Sequence, residues 1–281
     1  MATEHEIFPA RPTVSSAGPT PSPEEIIGTE YVVRFDAHQR LQHFLMLSCF
    51  IVLALTGLPQ KFSSLEISQW WVSSLGGLEV VRNIHRAAGL FMLGDCLYHV
   101  GYLCFRIAVQ RRYGALRMIP APKDLQDIAH TMFYFLGFAR EKPKFDRFSY
   151  LEKFDYWAVF WGIAVIGGSG LILMFPVKAT DYLPSQTIAV ALAMHSDEAL
   201  LAVGWIIIVH MFNAHLAPWV FPMDTTIFTG RVRAERYAEE HPLEWAQIAA
   251  KAASDGAAVG RVARPELRRP EADAESRGRF T

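Results

Sequence analysis

Residues 85–105 read His85-Arg-Ala-Ala-Gly-Leu-Phe-Met-Leu-Gly-Asp95-Cys-Leu-Tyr-His99-Val-Gly-Tyr-Leu-Cys-Phe105. Apart from one arginine, one aspartate and two histidines the run is apolar or small, and it is about as long as the ~20 residues a helix needs to cross bilayer hydrocarbon. Three more runs of this kind lie at 41–58, 154–176 and 198–221. Hydrophobic residues make up 51% of the 281, and their bunching into four long runs marks a membrane protein. The expected fold is all-α: an integral membrane four-helix bundle.

Orientation follows from the basic residues. Ten Lys or Arg residues lie between 106 and 153, whereas the other two connections carry only Lys61, Arg82 and Lys178. Basic loops stay on the cytoplasmic side, so the 106–153 connection faces the cytoplasm. Arg34 and Arg40 before the first run, and Arg231, Arg233 and Arg236 after the fourth, put both termini there too. The expected location is the cell inner (cytoplasmic) membrane, crossed four times. The net charge of −1 favours neither nucleic acid nor a strongly charged partner.

Three parts are expected. Residues 1–30, rich in Pro, Ser and Glu without an apolar core, read as a flexible cytoplasmic arm. Residues 31–222 form the transmembrane domain, and 223–281 a polar cytoplasmic segment with a helix near 243–253 and a disordered tail. Between the second and third runs, 124–140 reads as a short interfacial helix. The 60–83 link, with Trp70, Trp71, Gly76 and Gly77, suits the outer interface and a turn. Cys49, Cys96 and Cys104 lie inside the runs and form no Cys-x-x-Cys pattern, which speaks against covalent haem, iron–sulfur clusters and a disulfide scaffold.

Six of the ten histidines fall in or at the ends of the runs: His43, His85, His99, His195, His210 and His215. Ionisable groups at membrane depth are costly and face the bundle interior. Two imidazoles on one haem iron remove that cost. His85 and His99 are about 21 Å apart along a helix and within roughly 40° of one face; His195 and His210 are about 22 Å and roughly 60° apart. Because the second and fourth spans both run from outside to inside, His85 and His195 share the outer leaflet and suit an outer haem. His43, His210 and His99 are the candidates for an inner haem, with His215 a turn and a half further in. Two haem b groups are expected, and His99 with His215 leave a third open.

These residues resemble the gamma-subunit cytochromes b of respiratory formate dehydrogenases and the related thiosulfate reductase and hydrogenase cytochrome b subunits. The likeness is carried by Arg40-Leu-Gln-His43-Phe, Leu55-Thr-Gly-Leu58, Arg82-Asn-Ile-His85, Tyr156-Trp157 and Val209-His210-Met-Phe212. It implies His43 and His210 as ligands of the haem nearer the cytoplasm and His85 and His195 as those of the other, with Arg40 and Tyr156 in the cofactor site. It also implies a quinone substrate near the inner haem, where Arg147, Ser149, Glu152, Lys153 and Tyr156 cluster, and a redox partner subunit. The sequence differs in having His99, His215 and one extra residue between the two fourth-span ligands. Phe212-Asn-Ala-His215 and Phe221-Pro-Met-Asp224 are closer to cytochromes b that work with multihaem cytochromes c, so the partner is either such a protein or an iron–sulfur protein.

Asp95, in mid-span between two histidines, is a candidate proton relay, and Glu152 and Lys153 are candidates for proton handling at the quinone. Asp197 and Glu198 beside His195 could fix its tautomer. Competing readings are a stand-alone cytochrome b561-like oxidoreductase, a haem-free proton-coupled transporter and a plain membrane anchor. The chain thus reads as an electron-transfer and quinone-reacting subunit of an oxidoreductase complex.

Overall fold

In the computed structural model, residues 7–8, 31–218 and 220–254 are described. The expectation of a disordered tail after 254, and most of the N-terminal arm, lie outside them. Four helices have the length and hydropathy to cross a membrane: Ala37–Lys61, Leu78–Ala108, Tyr150–Met174 and Gln186–Leu216. They bear out the four-span reading, and each outruns its apolar core by a polar turn or more.

Local signals set their ends. Asp36 caps the first span in a reciprocal pair with Gln39, and Ser149 caps the third with Glu152, each satisfying amide groups that a helix start leaves open. Gly77, at φ +98°, turns the chain into the second span. The 60–83 link holds a short helix, Glu66–Ser74, whose Trp71 Nε1 donates to the Leu55 carbonyl at 2.9 Å. The expected interfacial helix runs over Pro122–Phe135 and stops before Gly137, whose φ of +80° ends it. Leu125, Met132 and Phe135 on this helix are exposed.

Within the third and fourth spans the helix widens into π turns at Ile163–Gly167, Ile206–His210 and Phe212–Leu216. A π turn closes i→i+5 hydrogen bonds, takes in one extra residue and often accompanies a functional site. The spans bury little of their surface against one another. Together with the cytoplasmic loops they surround a cavity of about 2930 Å³, against the 300–1,000 Å³ typical of a small-ligand pocket.

A small sheet adds to the expected all-helical fold. Strands β1 (Ile7–Phe8), β2 (Tyr31–Val33) and β3 (Arg231–Arg233) pair antiparallel in that order, with Val32 opposite Val232. Gly230 leads into β3 at φ +77°, and a Cβ there would lie 2.6 Å from the Phe35 carbonyl oxygen. Only glycine fits that approach.

The polar C-terminal segment is attached to the bundle. Helices Ala234–Glu240 and Pro242–Ser254 fold back on the sheet around a core of Val32, Val232 and Tyr237, flanked by Trp245 and Ile248. Glu244, 1% exposed, receives Arg117 at 3.0 Å, Arg147 at 3.4 Å and the Tyr237 hydroxyl. Buried Arg34 reaches Glu152 at 2.8 Å and Tyr237 at 3.2 Å. Burial opposes the Arg34 charge, but Glu152, Tyr237 and Glu244 together outweigh it and the guanidinium is held above its usual range. A cap on the side expected to face the cytoplasm thereby ties β2 and the C-terminal helices to the start of the third span.

Two outcomes follow from this cap. Replacing Glu244 by Gln removes the carboxylate shared by two arginines, at a cost of about 2 kcal/mol or more; hydrogen exchange over residues 231–250 should accelerate while that of the spans holds. Burial, then the neighbouring Arg34 charge, hold His241 below its usual 6.5, so the folded cap binds fewer protons than the unfolded chain. Stability from this group is therefore present above pH 6.5 and lost on acidification below it. Protection factors in the cap, taken against the intrinsic exchange rate at each pH, should fall from pH 7.5 to about 5.5 in the native chain and stay flatter in His241→Gln.

Candidate functional site

His85 of the second span and His195 of the fourth face each other across the cavity, with ring centroids 6.1 Å apart and planes 76° to each other. Thr56, 3% exposed, donates its hydroxyl to the Val52 carbonyl at 2.6 Å and accepts from His85 Nδ1 at 2.8 Å. His195 Nδ1 donates to the Ile166 carbonyl at 2.8 Å, with Ser169 Oγ at 3.4 Å. Ile166 belongs to the π turn of the third span, where the usual i→i−4 ladder is offset. Both rings thus have Nδ1 engaged, which fixes the tautomer and leaves Nε2 available to a metal.

Glycines let the rings sit where they do. A Cβ on Gly57 would meet His85 Cε1 at 3.1 Å, and one on Gly170 would meet His195 Cε1 at 3.0 Å. The first and third spans therefore press glycine backbone against the histidines of the second and fourth. Asp197, expected beside His195, pairs instead with Lys61 at 2.6 Å; a carbonyl fills the role foreseen for an acid.

At the cytoplasmic end three histidines gather. His43 of the first span has His210 and His215 as its electrostatic neighbours. His210 Nδ1 lies 3.2 Å from Asp155 Oδ2, while Trp205 Nε1 donates to Asp155 Oδ1 at 2.7 Å. His215 Nδ1 is buried without a hydrogen-bond partner. The fifteen residues from His195 to His210 include the Ile206–His210 π turn, which absorbs one of them. The pair then behaves as if fourteen apart, roughly 40° off one face, like His85 and His99.

His99 is placed differently. Its Nδ1 is 2.7 Å from Gln42 Oε1 and its Nε2 is 3.0 Å from the Tyr156 hydroxyl, so protein groups occupy both nitrogens. Gln42 Nε2 is buried without a partner, as are Asp95 Oδ1 and Arg40 Nε; all three residues are in or beside the cavity, which Gln42 and Asp95 line. The other Arg40 contact is from Nη1 to the Phe228 carbonyl at 2.9 Å. Glu152 is engaged by Arg34 and its own helix cap, and Lys153 by Asp124 at 2.9 Å. These two hold the cytoplasmic mouth together.

Asp155, Thr56 and Gln42 escaped the sequence reading. Thr56 and Gln42 stand inside the quoted motifs without a signal of their own, and Asp155 is one more charge near a helix start. Among the described residues no three His, Cys, Asp or Glu side chains converge on a point. The donors come as opposed imidazoles, and the other positions of an iron must come from a macrocycle. Two imidazoles bound to one iron through bonds of about 2 Å hold their centroids roughly 6 Å apart, which is the spacing of His85 and His195. The residues fit haem.

Comparison with known proteins points the same way. The cytochrome b556(Fdn) subunit of the nitrate-inducible formate dehydrogenase of Escherichia coli (strain K12) is 23% identical over 217 residues, 77% of this chain and 91% of the relative. The cytochrome b556(fdo) subunit of formate dehydrogenase from the same strain is 24% identical over 217 residues, 77% of this chain and 93% of the relative. The family model for prokaryotic cytochrome b561 matches residues 34–227. That match takes in all four spans and both histidine clusters, and the chain belongs to the prokaryotic cytochrome b561 family.

Proposed function

We propose that this chain is a dihaem cytochrome b subunit that carries electrons between a membrane quinone and a redox partner subunit. The observation that carries the reading is the opposed pair His85 and His195, 6.1 Å apart with each Nδ1 already bonded. In this reading they hold the outer haem and His43 with His210 hold the inner one, while His215 stays a reserve donor at the cytoplasmic end. Haem supplies one-electron transfer when bound; the chain's residues set its depth, orientation and surroundings.

The quinone end is best served by the group formed by Gln42, His99 and Tyr156. Gln42 is 5% exposed with an unpaired Nε2, a donor suited to a quinone oxygen, and the Tyr156–His99 hydrogen bond offers a proton path beside it. Asp95 lines the same cavity with a buried Oδ1 that has no partner, and in this reading it is a further proton carrier beside that path. The two formate dehydrogenase relatives are subunits of larger enzymes. This supports a partner for the present chain too, either a multihaem cytochrome c or an iron–sulfur protein.

Haem-to-protein stoichiometry on the purified chain tests the ligand set. We expect two b haems in the native chain, one in His85→Ala, His195→Ala, His43→Ala and His210→Ala, and two in His99→Ala and His215→Ala. Full loading of His85→Ala would end the outer assignment. For the quinone, Gln42→Leu with both haems retained should raise KM for a soluble quinol about 10-fold, the cost of one lost hydrogen bond; an unchanged KM would move the quinone elsewhere.

A further inference from the structure

Asp155 lies roughly 8 Å along the helix from Tyr150 at the start of the third span, and its two oxygens have different partners. Oδ1 accepts from Trp205 Nε1 at 2.7 Å, and Oδ2 is 3.2 Å from His210 Nδ1. Trp205 and His210 are i and i+5. On a regular α-helix they would point about 140° apart; the intervening π turn, Ile206–His210, brings both to one carboxylate. Trp205 is itself braced by Phe154, with ring centroids 4.8 Å apart. The acid is therefore held at both oxygens and has little freedom to leave the imidazole.

The outer pair is arranged otherwise. His85 and His195 give their Nδ1 protons to a threonine hydroxyl and a backbone carbonyl, both neutral. A carboxylate at the same position pulls the Nδ1 proton toward itself and makes the opposite nitrogen a stronger donor. Electron density pushed onto a metal favours its oxidised form, so the ligand's partner is a lever on reduction potential.

We propose that Asp155 is the positioning residue for His210, and that its charge lowers the reduction potential of the haem bound there. The proposal rests on the reading of His210 as a haem ligand. Asp155 acts through the imidazole and touches no substrate. The π turn is part of the device, because without it Trp205 and His210 could not share the acid.

The test is a redox titration of the purified, haem-loaded full chain, with optical and low-spin EPR signals resolving the haems, alongside haem transfer to excess apomyoglobin. In Asp155→Asn one haem, the one missing from His210→Ala, should titrate at a higher potential and leave about 10-fold faster. The other haem should be unaltered, and Asp155→Glu should restore most of the potential. Should Asp155→Asn fail to load, Trp205→Phe, which frees one oxygen of the acid, should show the faster haem loss. An unchanged potential and transfer rate in Asp155→Asn, with His210→Ala still lacking one haem, would overturn the role of Asp155 and leave the ligand reading standing. Retention of both haems by His210→Ala would overturn that reading and the proposal with it.

Discussion

An imidazole inside a bilayer has two ring nitrogens to satisfy and no water to do it. In this chain each histidine of the outer pair meets that demand with one partner from an adjacent span, Thr56 of the first for His85 and Ile166 of the third for His195. The second nitrogen is left for a metal. Much of the bundle can be read from that constraint. The glycines at 57 and 170 admit the rings, the spans stand apart around a large cavity, and apolar surface faces lipid rather than a packed protein core.

The π turns belong to the same logic. Regular helices would fix both the rise and the rotation between the two histidines of a span. The second span achieves near alignment with a fourteen-residue spacing, whereas the fourth carries fifteen between His195 and His210 and takes up the surplus as a π turn. The third span's π turn serves a neighbour, offering Ile166 to His195. All three π turns contain or bond a histidine, His195 for Ile163–Gly167, His210 for Ile206–His210 and His215 for Phe212–Leu216, which is where a distorted ladder repays its loss of regular hydrogen bonding.

The four spans and the set of histidines within them could be read directly from the sequence, because hydropathy and the rarity of ionisable groups in lipid are one-dimensional signals. Three-residue strands such as Tyr31–Val33 carry too little pattern to be seen, so the sheet and the cytoplasmic cap went unforeseen. The C-terminal segment reads only as a polar helix and tail, because Glu244 and Tyr237 look like surface residues until Arg34, Arg117 and Arg147 are brought to them from distant parts of the chain. Which histidines are engaged by protein groups was equally hidden. His99 matches the others in depth and spacing, and only the approach of Gln42 and Tyr156 sets it apart.

The two ends of the cavity differ in the charge of what holds the histidines. At the outer end the Nδ1 partners are neutral, and at the cytoplasmic end His210 meets a carboxylate fixed by Trp205. If Asp155 acts as proposed, this contrast makes the centre held by His210 the harder of the two to reduce. The two ends of the cavity are then set apart by one side chain's position in the third span rather than by the fold.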